Sequence, residues 1–162
     1  MAKGTPVHHA LVDHFGEGIL SGEGEISRPS LGRIVFDDPR ERLALNQLVH
    51  PAVREALQRW ISERRRMGEH GAAQIPLLFE SGMEKLEWDY IVCVSSLRDV
   101  MLERLQLRGM SLEEARKRVD SQMALAQKEE RSDRVIRNLG TVEELERVTR
   151  QTVSSLLRER EI

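Results

Sequence analysis

One cysteine, Cys93, stands alone in 162 residues. A lone thiol excludes an internal disulfide framework and any four-cysteine zinc site. Its setting, "YIVCVSS", suits a small buried hydrophobe better than a reactive thiol. No apolar stretch approaches the length of a bilayer span, and "MAKGTPVHHALVDHF" holds no signal-peptide apolar region. A cytoplasmic protein outside any membrane is therefore expected. Charge of one sign is lacking too, since the net is −2. That excludes both a global basic field for nucleic acid and an acidic solvating tail. The five histidines show no ligand spacing. His8 and His9 are adjacent, so one helix face cannot present both, and no metal site is expected. Internal repeats and low-complexity tracts are absent.

What remains is the material of a soluble globular domain. Hydrophobic residues make up 40% and charged residues 32%, in a chain long enough to bury a real core. "VHHALVDHFGEGIL" predicts a short helix with Ala10, Leu11 and His14/Phe15 on one side. "GEGEISRP" is a turn cluster. Arg40 to Val49 reads as a helix with Leu43, Leu45 and Leu48 inward. Pro51 is expected to end it, having no N–H to give, and to open a second helix. That second helix carries Val53, Leu57, Trp60 and Ile61 on its apolar face. Its last turn holds "RRR" at 64–66, where cations suit the helix dipole.

Next, "AAQIPLLFE" and "WDYIVCVSS" read as strands. The apolar run Tyr90 to Val94 fits a parallel strand buried on both faces. Ser96 with Asp99 is expected to cap a following helix, and Ser111 with Glu114 forms a capping box for another. "DRVIRN" is a short strand. Thr141 and Glu144 cap a last helix that buries Leu145, Val148 and Leu156. Strands alternating with helices argue an α/β fold with a parallel sheet.

Ligands of such sheets bind outside the carboxyl ends of the strands. Glu80, Ser95–Ser96 and Asn138 stand at such ends. The helices between the later strands carry Arg104, Arg108, Arg116, Lys117 and Arg118. These basic side chains suit a lid over phosphates. They also suit a solvated face laced with pairs such as Glu114–Arg118.

The order of the motifs resembles the dephospho-CoA kinase family. The resemblance rests on "GEISRPSLGRIVFDDPRERLALNQLVHPAVR", "IPLLFESG", "RLQLRGMSLEEARKRVDSQM" and "RSDRVIRNLG", and runs from about Gly4 to the last helix. That family phosphorylates the ribose 3′-hydroxyl of dephospho-CoA with ATP, the last step of coenzyme A synthesis. The resemblance implies a P-loop nucleoside-kinase-like three-layer sandwich with a parallel sheet, here incomplete. It implies a helical dephospho-CoA-binding excursion over 1–71, α/β core at 72–100 and 132–162, and a helical lid over 101–131. Arg28 and His50 match substrate-side positions. Glu80 matches the acid near the reaction centre. Arg108, Arg116 and Gln122 match the lid beside the ATP phosphates, while Asn138 and Gly140 match the loop bordering the adenine.

The departures carry equal weight. The family's G-x-x-x-x-G-K-[ST] loop and its aspartate motif are not found, and no Gly-Lys dipeptide occurs in the chain. Gln74 stands where many members have aspartate. The expectation is an N-terminally truncated kinase, inactive alone, with ATP and Mg²⁺ belonging to the full-length family and neither held tightly by this chain. Strands at 74–79 and 90–94 would flank an empty slot, open to self-association through the exposed sheet edge. The alternatives are a catalytically dead homologue that binds a ligand or partner, and a helical scaffold with no ligand.

Overall fold

The computed structural model describes residues 2–160, with the side chains of Asp37 and Arg160 outside the description. Two compact units divide the chain, Met1–Ala73 and Gln74–Ile162.

The first unit is helical. Helix α1 (Pro6–Phe15) starts at Thr5, whose hydroxyl accepts from the His8 amide. Helix α2 (Arg28–Asp37) starts at Ser27, and α3 (Pro39–Met67) at Asp38. Each opens with a proline in its first two positions, where the missing N–H costs nothing. Between α1 and α2 the turn cluster folds back as an antiparallel bridge, Leu20 to Ile26. Leu11, Ile19, Leu31 and Val35 form the core, with Leu45, Leu48 and Val49 of α3 packed against it. His8 is buried, and its Nε2 lies 2.9 Å from the Gly24 carbonyl oxygen. His14, expected inward, pairs instead with Glu41 at 3.0 Å.

Three expectations for this unit need correction. Arg28 and Pro29, expected in the turn cluster, open helix α2. Leu43 is 58% exposed. At 100° per residue, Leu43 and Leu45 cannot share the face that Leu45 and Leu48 occupy. Pro51 does not divide the helix, because α3 runs through it. The ring leaves the Gln47 carbonyl without its helical donor. Packing of Leu45, Leu48 and Val49 holds the turn in place regardless. Pro51 is exposed, so Pro51→Ala empties no core and restores that bond. The variant is expected to raise stability by about 1–3 kcal/mol. A urea titration checks this, and a lowered midpoint would contradict it. Helix α3 then stops at Gly68, in left-handed conformation, with Arg64, Arg65 and Arg66 in its last turn as expected.

The second unit holds a parallel pair, β1 (Val92–Ser95) beside β2 (Arg134–Arg137), in register Val92 to Arg134. Helices α4 (Arg98–Leu107), α5 (Leu112–Asp120) and α6 (Leu125–Glu130) form the crossover between them. Helix α7 (Val142–Arg160) follows β2 and packs on it. Phe79, Met83, Leu86, Ala115, Ile136 and Leu156 are the buried apolar residues. Both capping boxes form: Ser111 with Glu114, and Thr141 with Glu144. The Ser96–Asp99 cap does not. Leu97 is the N-cap of α4 and makes no side-chain bond there.

Among the described residues the sheet has these two strands only. Residues 74–79 are not a strand. Pro76 opens a single helix-like turn in which Ser81 N–H donates to the Leu77 carbonyl at 3.0 Å. Gly82, at φ 66°, closes it. Gly82 N–H donates to Phe79 O and Met83 N–H to Leu78 O, the paired bonds of a glycine-closed helix end. A proline suits a first turn and cannot donate to a sheet ladder, so "PLLFESG" favours the turn. The expected slot between strands at 74–79 and 90–94 is therefore not what this segment forms. Nor is β1 buried on both faces, since Val94 is 58% exposed. Ile91 and Ser95 direct their carbonyls to the β2 side, accepting from Asp133 and Asn138.

Candidate functional site

In the second unit, two clusters gather the polar residues that the sequence singled out. The first lies at the carboxyl ends of β1 and β2. Asn138 N–H donates to the Ser95 carbonyl at 2.7 Å. The Ser96 hydroxyl donates to the Asn138 carbonyl at 2.9 Å. Arg104, reaching from α4, donates to the same carbonyl at 3.3 Å and to the Asn138 side-chain oxygen at 3.1 Å. A planar guanidinium holds both acceptors at once, which fixes the amide plane. Ser95 is buried. The loop then turns through Gly140 into α7. A Cβ at Gly140 would collide with a Glu144 carboxylate oxygen. Glu144 caps the helix by accepting from the Thr141 N–H, so the glycine leaves room for the cap. The opposite end of the strand pair is tied by Asp133, whose carboxylate accepts from the Ile91 N–H at 2.7 Å.

The second cluster surrounds the turn after Pro76. Glu80 Oε1 accepts from Lys128 Nζ at 2.6 Å and from the Met123 amide at 3.0 Å. Burial by itself raises the Glu80 carboxyl. The Lys128 ammonium, the residue's own backbone N–H and the Met123 amide outweigh it and hold the group below its ordinary value. Lys128 also reaches Gln122 Oε1 at 3.4 Å. Alongside, Arg131 pairs with Glu84 at 2.8 Å and lies over the Phe79 ring, 4.4 Å from its centroid. Trp88 Nε1 donates to the Met83 carbonyl at 2.9 Å and completes the turn. Glu80 thus stands in a turn, not at a strand end.

The remaining lid candidates are exposed. Arg108 is the C-cap residue of α4, and Arg116 lies on α5 close enough to lower the Asp120 carboxyl through its charge. Asp120 takes its main bond from Arg98 at 2.7 Å, which joins the start of α4 to the end of α5. Cys93 is half-buried, and burial with Glu129 nearby pushes its thiol up. A raised thiol is a poor nucleophile, in keeping with a packing role.

In the first unit, Arg28 is the first residue of α2 and is exposed. His50 lies inside α3 rather than at a helix start. It is half-buried. Burial, and then the charge of Arg54, hold its imidazole below the ordinary value. Helices α2 and α3 pack on one another.

Sequence reasoning brought out Glu80, Gln122 and Asn138 singly. It did not see that Lys128 joins the first two, or that Arg104 forks onto the third. A lone lysine before "EER" is no signal, because its partner is remote in the chain. Among the described residues no group of three or more His, Cys, Asp or Glu is placed to hold a metal ion. No helix there is long and apolar enough to cross a membrane.

The family profile for dephospho-CoA kinase matches residues 1–144. A dephospho-CoA kinase of Symbiobacterium thermophilum is 41% identical over 143 residues, covering 86% of this chain and 59% of the relative. One of Bacillus cereus is 42% identical over 144 residues, covering 88% of this chain and 72% of the relative. The crystal structure of TT1252 from Thermus thermophilus superposes with a TM-score of 0.67 at 32% identity, over 91% of this chain and 75% of that one.

Proposed function

Because this chain belongs to the dephospho-CoA kinase family, we propose that its residues serve the ATP-dependent phosphorylation of the ribose 3′-hydroxyl of dephospho-CoA in the cytoplasm. The observation that carries the reading is the tied loop at the carboxyl ends of β1 and β2. Arg104, Ser96 and the Ser95 carbonyl hold Asn138 where an α/β fold receives a nucleotide. On this reading Asn138 and Gly140 border the adenine. Arg108, Arg116 and Gln122 lie on the side of the ATP phosphates, and guanidinium forks suit phosphate oxygens. Arg28 and His50 belong to the dephospho-CoA side. A cation at the first residue of α2 and a neutral imidazole in α3 suit a phosphate and a hydroxyl group.

Magnesium accompanies ATP in phosphoryl transfer. It is held there chiefly by the phosphates and water, with one or two protein oxygens, and no group of three or more His, Cys, Asp or Glu is placed to hold a metal among the described residues.

A second reading draws on the missing Gly-Lys dipeptide. The chain is then a binding module that takes dephospho-CoA without turning it over. Separate calorimetric titrations of dephospho-CoA and ATP test both readings. Dephospho-CoA is expected to bind, and His50→Ala to weaken it by roughly tenfold, the loss of about one hydrogen bond. Binding of neither ligand would overturn both readings.

A further inference from the structure

Glu80 has a carboxylate whose bonding is already committed. One oxygen accepts from Lys128 Nζ at 2.6 Å and from the Met123 amide at 3.0 Å. Both charged side chains are largely withdrawn from solvent, with 13% of Lys128 and 22% of Glu80 exposed. Lys128 lies on α6, and Met123 lies on the segment that leads from α5 into α6. The same ammonium reaches the Gln122 side-chain oxygen at 3.4 Å. A parallel tie lies beside it, with Arg131 on Glu84 at 2.8 Å and over the Phe79 ring. Two bases at and just beyond α6 thus grip two acids, Glu80 in the glycine-closed turn and Glu84 in the short 3-10 helix Met83–Lys85 that follows it.

We propose that Lys128 is a positioning residue. It fixes the Glu80 carboxylate, and through Glu80 and its own contact with Gln122 it sets where residues 122–124 return from the lid helices. Glu80 on this account is an anchor and not a reacting group. A carboxylate that receives an ammonium and an amide in a half-buried site is a weak base, because both donors stabilise its ionised form. Placing Gln122 beside ATP rests on the reading above; the anchor itself does not.

Amide exchange in the 162-residue chain tests the anchor, read by NMR at Met123. Lys128→Met and Glu80→Gln are each expected to speed Met123 exchange by about tenfold, the local opening that follows loss of one charged bond. The double variant is expected to exchange no faster than either single one, since both remove the same tie. Lys128→Arg, which keeps the charge and reach, is expected to restore protection. Exchange at Val135 and Ile136 in β2 is expected to stay as in the parent chain. A parent-like Met123 rate in Lys128→Met would overturn the proposal. So would a Lys128→Arg rate equal to that of Lys128→Met, or equal acceleration at β2. If Lys128→Met does not fold, the nearly isosteric Glu80→Gln carries the same comparison. Dephospho-CoA titration of the parent chain separates the two claims. Failure to bind would sink the functional reading and leave the exchange result standing.

Discussion

Assayed by itself, the 162-residue chain is expected to transfer no phosphate from ATP to dephospho-CoA above the uncatalysed background. Phosphoryl transfer asks an enzyme for positioning and charge stabilisation more than for covalent chemistry. The backbone cradle and lysine of a G-x-x-x-x-G-K-[ST] loop supply both, and its hydroxyl residue holds the metal. These residues contain no Gly-Lys dipeptide. Among the described ion pairs, the least exposed lysine–carboxylate pair, Lys128 with Glu80, is closed on itself. Loss of one charged stabiliser in such a site costs roughly 10³ in rate. Loss of several that act together leaves nothing measurable. Transfer of labelled γ-phosphate to dephospho-CoA is the direct assay. A turnover of order one per second would refute the expectation and require a phosphate cradle built from other residues.

Leu11→Ala is expected to cost the first unit about 2–5 kcal/mol, the range for emptying a fully buried leucine site. Leu11 has 0% exposure and packs with Ile19, Leu31 and Val35. Small domains hold only about 5–15 kcal/mol in total, with units of this size at the low end. The variant should therefore unfold at a far lower urea concentration, or be unfolded in buffer. Two tryptophans are present, Trp60 in the first unit and Trp88 in the second. In a Trp88→Phe background the emission of Trp60 reports the first unit. Leu43→Ala provides the control. At 58% exposure it is expected to shift stability by no more than about 0.5 kcal/mol. Equal midpoints for the Leu11 and Leu43 variants would show that the core has been placed wrongly.

Much of the local structure was legible in the residues themselves. Ser111 with Glu114 and Thr141 with Glu144 announced two helix starts, and both boxes form. "DRVIRN" read as a strand, and β2 lies within it. The family resemblance was carried by motifs in order, and the family profile matches residues 1–144. The segment "IPLLFESG" shows the limit. Its apolar run fits a buried strand and a buried turn alike, because periodicity cannot separate short runs. Pro76 and Gly82 were the signals that favoured the turn. Pro51 misled in the other direction. A propensity of a few kcal/mol argued for a break, and the packing of Leu45, Leu48 and Val49 in the turns before it overrode the preference.

The sequence by itself determined the α/β class, the capping boxes at Ser111–Glu114 and Thr141–Glu144, and the candidate residues of the site. These follow from bonds and periodicities that span a few positions. Only the tertiary structure decided that Lys128 meets Glu80 and Gln122, that Arg104 forks onto Asn138, and that α3 runs unbroken past Pro51. Those contacts join positions far apart in the chain. Their strength comes from charges and apolar groups withdrawn from water together, a property of the packed fold that no short stretch of sequence contains.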